Sequence, residues 1–281
     1  MLATVTVSES ALRVRLSIAL LLAVVLPAHA EPARHGGPVS PVPVMGAKTE
    51  AVAPRCDVPN SFLKLAHPLP RVAARIAEGR TLTIVALGSS STQGAGASSP
   101  AHAYPARLES ELHALLPHMA VRVFNKGVGG EDAAGMVARF ERDVLDIEPD
   151  LLVWQAGVNA AIADVPLEEF VETMTAGIDR AHAAGIDVLL MGPQNAPRYV
   201  NAPHRREYSD HLMLLSRVKE VPVFPRFRIM SHWQATGQLV AHEAIAPDRL
   251  HMTDASYYCI ARLLARMIVS AVPTASAERR P

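Results

Sequence analysis

Four short segments of this chain carry residue types that do chemistry together. The first is Gly88-Ser89-Ser90-Ser91-Thr92, where the apolar run Leu82–Leu87 stops at a glycine and small hydroxyl residues follow. A strand that ends this way presents a nucleophile at the carboxyl edge of a parallel sheet, the edge at which such sheets hold their ligands. A serine hydroxyl is a weak nucleophile at neutral pH and needs a base to take its proton. Asp248-Arg249-Leu250-His251 offers that base, because imidazole titrates near neutrality and a carboxylate three residues earlier can orient it. Asn125-Lys126-Gly127-Val128-Gly129-Gly130 and Gly157-Val158-Asn159 offer N–H donors for the negative oxygen formed when a hydroxyl adds to a carbonyl. The candidate nucleophile is Ser90, with Ser89 and Ser91 as rivals on spacing alone. His251 is the candidate base and Asp248 its partner. The Ser90 and Gly130 N–H groups and the Asn159 amide are the candidate oxyanion donors.

Taken singly, each segment has a plainer reading. Serines at a helix start cap free backbone N–H groups. Glycines supply turn conformations, and an asparagine does the same or caps a helix. His251 is one of 12 histidines, and Thr253 beside it suits a helix cap. No Gly-Lys-Ser/Thr follows the serine run, so a phosphate-binding loop is not indicated. Two further positions fall at the same sheet edge. Trp154 and Gln155 end the third expected strand and Gln194 follows the fourth, so all three are candidates for lining a substrate pocket; for Trp154 core packing is the preferred reading.

The elements that must position these groups read clearly. Short apolar runs bounded by turn residues predict strands at Leu82–Leu87, Val121–Asn125, Leu151–Gln155, Val188–Met191 and Val221–Phe224. Between and after them, apolar residues at helical spacing predict helices over Tyr104–Leu116, Ala133–Leu145, Leu167–Ala184, Arg205–Val218 and Asp254–Val272. Alternation over about 200 residues implies an α/β protein with a mainly parallel five-stranded sheet. Right-handed crossovers make it a three-layer α/β/α sandwich.

With 49% hydrophobic and 19% charged residues, the chain can build a sizeable core. Its formal net charge is zero and it has no basic stripe, which argues against a nucleic-acid partner. Arg13 and Arg15 precede the apolar run Leu16–Leu26, and Ala28-His29-Ala30 forms a small-residue cleavage site, the layout of a secretory signal peptide over 1–30. The run of 11 residues falls short of the roughly 18–20 that span a bilayer. The expected product is exported, periplasmic or secreted, without a membrane anchor after cleavage. Residues 31–55 are rich in Pro and Gly and read as a disordered linker, 56–273 as one catalytic domain, and 274–281 as a disordered tail. Cys56 and Cys259 are the only cysteines. In an oxidising compartment they are either bonded to each other or present as two thiols, a choice spacing does not make.

In order and interval the four segments resemble the sequence blocks of the SGNH (GDSL-type) hydrolase superfamily, over roughly Leu82 to Val272. The resemblance implies a flavodoxin-like sandwich, no metal or other cofactor, and ester hydrolysis through an acyl-enzyme. It implies Ser90 as nucleophile, Gly130 and Asn159 as oxyanion donors, and His251 with Asp248 as base and orienter. Two positions depart from the family pattern: Ser89 stands for the usual Asp before the serine, and Ala160 for the usual Asp after the asparagine. The low aromatic content and lack of a long apolar lid favour a small acyl group. The expected function is an exported serine esterase acting on small acyl esters, carbohydrate O-acetyl groups among them. The alternatives on the same scaffold are a non-catalytic carbohydrate-binding protein and an O-acyltransferase.

Overall fold

The computed structural model describes residues 54–272. The expected signal peptide (1–30), the linker up to residue 53 and the tail (274–281) lie outside the described residues.

The apolar runs form strands β1 (Leu82–Gly88), β2 (Val121–Gly127), β3 (Leu151–Gln155), β4 (Asp187–Met191) and β5 (Val223–Phe224). All adjacent pairs are parallel, in the order β2-β1-β3-β4-β5. This is the flavodoxin-like order, in which the winding direction reverses between β1 and β3 and opens a crevice at their carboxyl ends. The helices, in chain order, are α1 (Pro70–Ala77), α2 (Ser90–Gln93), α3 (Tyr104–Leu115), α4 (Ala133–Ala138), α5 (Phe140–Asp143) and α6 (Val158–Ala163). They continue as α7 (Leu167–Ala183), α8 (Pro197–Val200), α9 (Arg205–Val218), α10 (Arg226–Thr236), α11 (Ala241–Ala244) and α12 (Asp254–Val269).

Because side chains alternate along a strand, the sheet feeds two separate cores. Ile84, Ala86, Val153 and Leu189 pack with α1, α3, α10 and α12 on one face. Val85, Leu87, Leu152, Trp154 and Leu190 pack with α4, α5, α6, α7 and α9 on the other. The three-layer reading is thus the architecture observed. Prolines open several helices at their first turns, where a missing N–H costs nothing: Pro70 in α1, Pro105 in α3 and Pro197 in α8. Thr253 caps α12 by accepting from the Ser256 N–H, and Asp132 caps α4 by accepting from the Gly135 N–H.

Three expectations need correction. The helix predicted over Ala133–Leu145 is broken at Arg139 (φ −108°, ψ 12°) into α4 and α5. Apolar periodicity continues through the break, but the Arg139 side chain is bonded to sheet-end carbonyls, described below. The fifth strand shortens to Val223–Phe224, since Pro222 has no N–H to donate to a ladder. Helices α1, α6 and α10 were not anticipated; α10 buries Arg226 together with Ile229, Met230 and Trp233, which blurs its amphipathic pattern.

Cys56 and Cys259 are joined, with an S–S distance of 2.04 Å across 203 residues of sequence. The bond ties the segment before α1, whose Leu63 enters the core, to the middle of α12. Cross-linking so long a loop restricts the unfolded chain, an effect worth about 2–5 kcal/mol. Replacing both cysteines by alanine is therefore expected to lower the thermal midpoint by many degrees and to remove its sensitivity to reductant, as calorimetry with and without a thiol would read.

Candidate active site

The serine run is bent by contacts too close for side chains. A Cβ on Gly88 would lie 2.1 Å from Thr92 Oγ1, and one on Gly127 would lie 2.1 Å from the Gln93 nitrogen. With those positions bare, β1 turns at Ser89 (φ −95°, ψ −150°) straight into α2, and Gly94 (φ 108°) ends that helix after one turn. The turn separates the three serines. Ser89 and Ser91 are buried. Ser90 alone faces the rim, where its Oγ donates to His251 Nε2 at 2.8 Å.

His251 is held from behind. Asp248 Oδ2 accepts from His251 Nδ1 at 2.5 Å, and its Oδ1 accepts from the Leu250 and His251 N–H groups at 2.9 Å each. A proton on Nδ1 leaves Nε2 as an acceptor toward Ser90. Desolvation opposes ionisation of Asp248, but the two N–H groups and the imidazole outweigh it and hold the carboxyl at about 2. The turn is closed by Ala246 N–H donating to the His251 carbonyl at 2.8 Å and by an antiparallel bridge between Ile245 and Met252.

Gly130 and Asn159 come to the same rim from β2 and β3. Gly130 has φ 83°, a conformation that favours glycine, and its missing side chain leaves open space. The N–H groups of Ser90 and Gly130 have no acceptor among the described residues. Asn159 lies in the first turn of α6, after Gly157 (φ 94°), and its Nδ2 donates to the Glu131 carbonyl at 2.8 Å, so the amide is fixed beside the Gly130 loop. One arginine fastens that loop. Arg139 Nε donates to Glu131 Oε2 at 2.8 Å, and its Nη2 donates to the Lys126 carbonyl at 2.9 Å and the Gly88 carbonyl at 3.3 Å. Its Nη1 donates to Asp143 Oδ2 at 2.8 Å. Among the described residues no three His, Cys, Asp or Glu side chains converge as a metal site would require.

The residues expected to line the substrate pocket do something else. Trp154 is fully buried in the second core, its Nε1 donating to Met136 Sδ at 3.2 Å and its ring 5.8 Å from that of Phe140. Gln155 is also buried, and its Oε1 accepts from the Ser89 N–H, the Ser89 hydroxyl and the Thr92 hydroxyl at 3.1–3.2 Å. Buried Gln194 donates from Nε2 to the Leu250 carbonyl at 3.1 Å and accepts from Arg226 Nη2 at 2.8 Å. Trp154 packs in the core, its other reading, whereas Gln155 and Gln194 point inward and brace the loops that carry Ser90 and His251 instead of lining a pocket. Arg226, unread in the sequence, is fully buried and also donates from Nε to the Gly192 carbonyl at 2.9 Å. Burial pushes its guanidinium down to about 10, against the pull of Tyr104, Tyr257 and Tyr199. Arg139 and Arg226 gave no signal beyond being basic residues within otherwise apolar stretches.

Residues 55–274 match the Non-GDSL lipase-like family. The chain is 24% identical over 175 residues to the acetylxylan esterase of Geobacillus stearothermophilus, covering 59% of this chain and 80% of that protein. A two-domain esterase (CEX) active on acetylated mannans, crystallised with mannopentaose, superposes with a TM-score of 0.62 at 25% identity over 74% of this chain. This chain spans 56% of the length of that esterase. The crystal structure of Axe2, an acetylxylan esterase of G. stearothermophilus, shares the fold, with a TM-score of 0.55 at 21% identity, over 66% of this chain and 94% of that one.

Two outcomes follow from this bracing. Gln155→Leu keeps the volume but strands three buried donors, at a cost of about 1–3 kcal/mol; urea unfolding should show the loss. Asp248 binds its proton less readily when folded, at about 2, than when unfolded, at about 3.9. Its stabilising contribution is therefore complete above the unfolded value and fades as pH falls toward the folded one. Between pH 5 and 2 the wild-type protein should lose more stability than Asp248→Asn, measured as urea midpoints along that range.

Proposed function

The chain belongs to the Non-GDSL lipase-like family, within the SGNH-like hydrolases, and from that premise we propose that it is an exported serine esterase. In this reading it removes small acyl groups, carbohydrate O-acetyl groups in particular, through an acyl-serine intermediate. The observation that carries the proposal is the unbroken chain of contacts from Ser90 Oγ to His251 Nε2 at 2.8 Å and from His251 Nδ1 to Asp248 at 2.5 Å.

The reaction runs in two halves. Ser90 Oγ attacks the ester carbonyl carbon while its proton passes to His251 Nε2, and ionised Asp248 stabilises the resulting imidazolium. The carbonyl oxygen becomes negative and is met by the Ser90 and Gly130 N–H groups and the Asn159 amide. Donors already in place cost no reorganisation, and each is worth about 10²–10³ in rate. Collapse breaks the bond to the alcohol, which leaves with the proton from His251. Water then enters, gives a proton to His251 and attacks the acyl carbon; His251 returns that proton to Ser90 Oγ as the acyl–oxygen bond breaks, releasing the acid. Support for an acetylated carbohydrate comes from the relatives: one is an acetylxylan esterase and another is active on acetylated mannans. Support for export comes from the signal-peptide layout of residues 1–30.

The test is a panel of 4-nitrophenyl esters from acetyl to palmitoyl, run on the protein lacking residues 1–30. Turnover should be highest with acetyl and fall with acyl length. Ser90→Ala should lower kcat by roughly 10⁴-fold or more and abolish labelling by a fluorophosphonate, with the thermal midpoint preserved. An inert wild-type protein, or an active Ser90→Ala variant, would reject the reading.

A further inference from the structure

Beside the His251 turn lies a cavity of about 490 Å³, within the size range of small-molecule sites. Its walls come from the segment after β4, from Gln234 near the end of α10, and from the segment 241–249. Neither Ser90, His251, Gly130 nor Asn159 is part of it. The two sites nevertheless share one turn: Ala246 and Arg249 line the cavity, while His251 of the same turn faces Ser90. That wall is preformed. Arg249 is held at φ 64°, and its carbonyl accepts from the Arg198 N–H at 3.0 Å.

The lining chemistry is specific. No carboxylate lines it; the walls combine the amides of Asn195, Asn201 and Gln234 with the basic side chains of His242 and Arg249 and an apolar surface that includes Val200 and Ile245. Asn195 Nδ2 donates to Ser231 Oγ at 3.1 Å and to Gln234 Oε1 at 3.0 Å. Both of its amide hydrogens are thereby committed. The Asn195 carbonyl oxygen and the Gln234 amide nitrogen have no partner among the described residues. They form an acceptor and a donor on neighbouring side chains, fixed by the bond between them. A sugar hydroxyl both donates and accepts, so it can satisfy such a pair, and the C–H face of a sugar ring suits Val200 and Ile245. A fatty acyl chain would bury both amide groups unsatisfied, which is costly.

We propose that this cavity is a subsite for a sugar ring of the chain that bears the ester, with Asn195 and Gln234 as the groups that select it. The inference rests on the esterase reading for its biological role, but binding can be measured apart from turnover. Calorimetric titration of the Ser90→Ala protein with xylopentaose and with mannopentaose, both unacetylated, reads the subsite directly. One of them should bind, and the affinity should fall about tenfold in Gln234→Leu and in Asn201→Trp, which fills the cavity from an exposed turn. In the Ser90 protein, the ratio of kcat/KM for an acetylated oligosaccharide to that for 4-nitrophenyl acetate should fall by a similar factor. The proposal is overturned if neither pentasaccharide binds, if both variants bind as the parent does, or if Asn201→Trp impairs only 4-nitrophenyl octanoate, which would assign the cavity to an acyl chain. Sugar binding through Gln234 in a protein inert toward every ester would retain the subsite and remove the esterase reading.

Discussion

The candidate site depends on how closely the carboxyl end of β1 approaches its neighbours. At Gly88 and Gly127 the backbone comes so near Thr92 and Gln93 that a methyl group would overlap them. That approach allows β1 to turn within one residue into α2, so Ser90 stands at the first position of that helix, two residues beyond the end of the strand. It also brings the Ser89 N–H and hydroxyl onto Gln155 Oε1, locking the turn to β3. Because β1 lies between β2 and β3, the Gly130 and Asn159 segments arrive at the same rim without any long excursion. The site sits at the switch point because the strand order leaves room there.

Behind the rim lies a second layer whose energetics are less economical. Arg226 is wholly buried, its Nη1 has no hydrogen-bond partner among the described residues, and its charge is faced by tyrosines. An isolated buried cation is expensive, and apolar replacements of buried charges are often neutral or stabilising. What Arg226 contributes in return is position. Through Gln194 it reaches the Leu250 carbonyl, and so fixes the turn that carries Asp248 and His251. Arg139 plays the matching part for the other half, joining the ends of β1 and β2 to Glu131. Each loop of the candidate site is thus held by a guanidinium, whose planar fork of donors can bind several carbonyls at once.

Much of this was legible in the sequence where a local rule governs the outcome. Strand ends, helix alternation and the four motif segments follow from burial periodicity and turn chemistry, and all reappear near the expected residues. Side-chain direction at a strand end obeys no such rule. Trp154, Gln155 and Gln194 lie at the predicted edge, yet a one-residue change in facing separates a pocket wall from a core. The break at Arg139 escaped for a related reason: the apolar residues of α4 and α5 keep helical spacing, while the cause of the break is a tertiary bond to Gly88 and Lys126, 51 and 13 residues away. The disulfide lay between these cases, since composition allowed it and only the packing of the first described segment on α12 selects it.

The two departures from the family pattern become intelligible in this setting. Position 89 is buried, and its side chain meets Gln155 Oε1, whose orientation is dictated by the Ser89 N–H. A hydroxyl can donate to that oxygen, whereas a carboxylate placed there would be a second, desolvated acceptor facing it. Serine at 89 and glutamine at 155 thus fit each other, the acceptor for the Ser89 N–H and hydroxyl being carried by β3. Ala160 is similar. It faces the apolar core of α6 and α7, almost fully buried, and Asn159 takes its support from the Glu131 carbonyl across the rim. That carbonyl belongs to the loop bearing Gly130, so the amide and the neighbouring N–H are fixed to each other rather than to a separate carboxylate. Their mutual spacing, the quantity that matters for holding one oxygen, is then set by one hydrogen bond between α6 and the loop after β2.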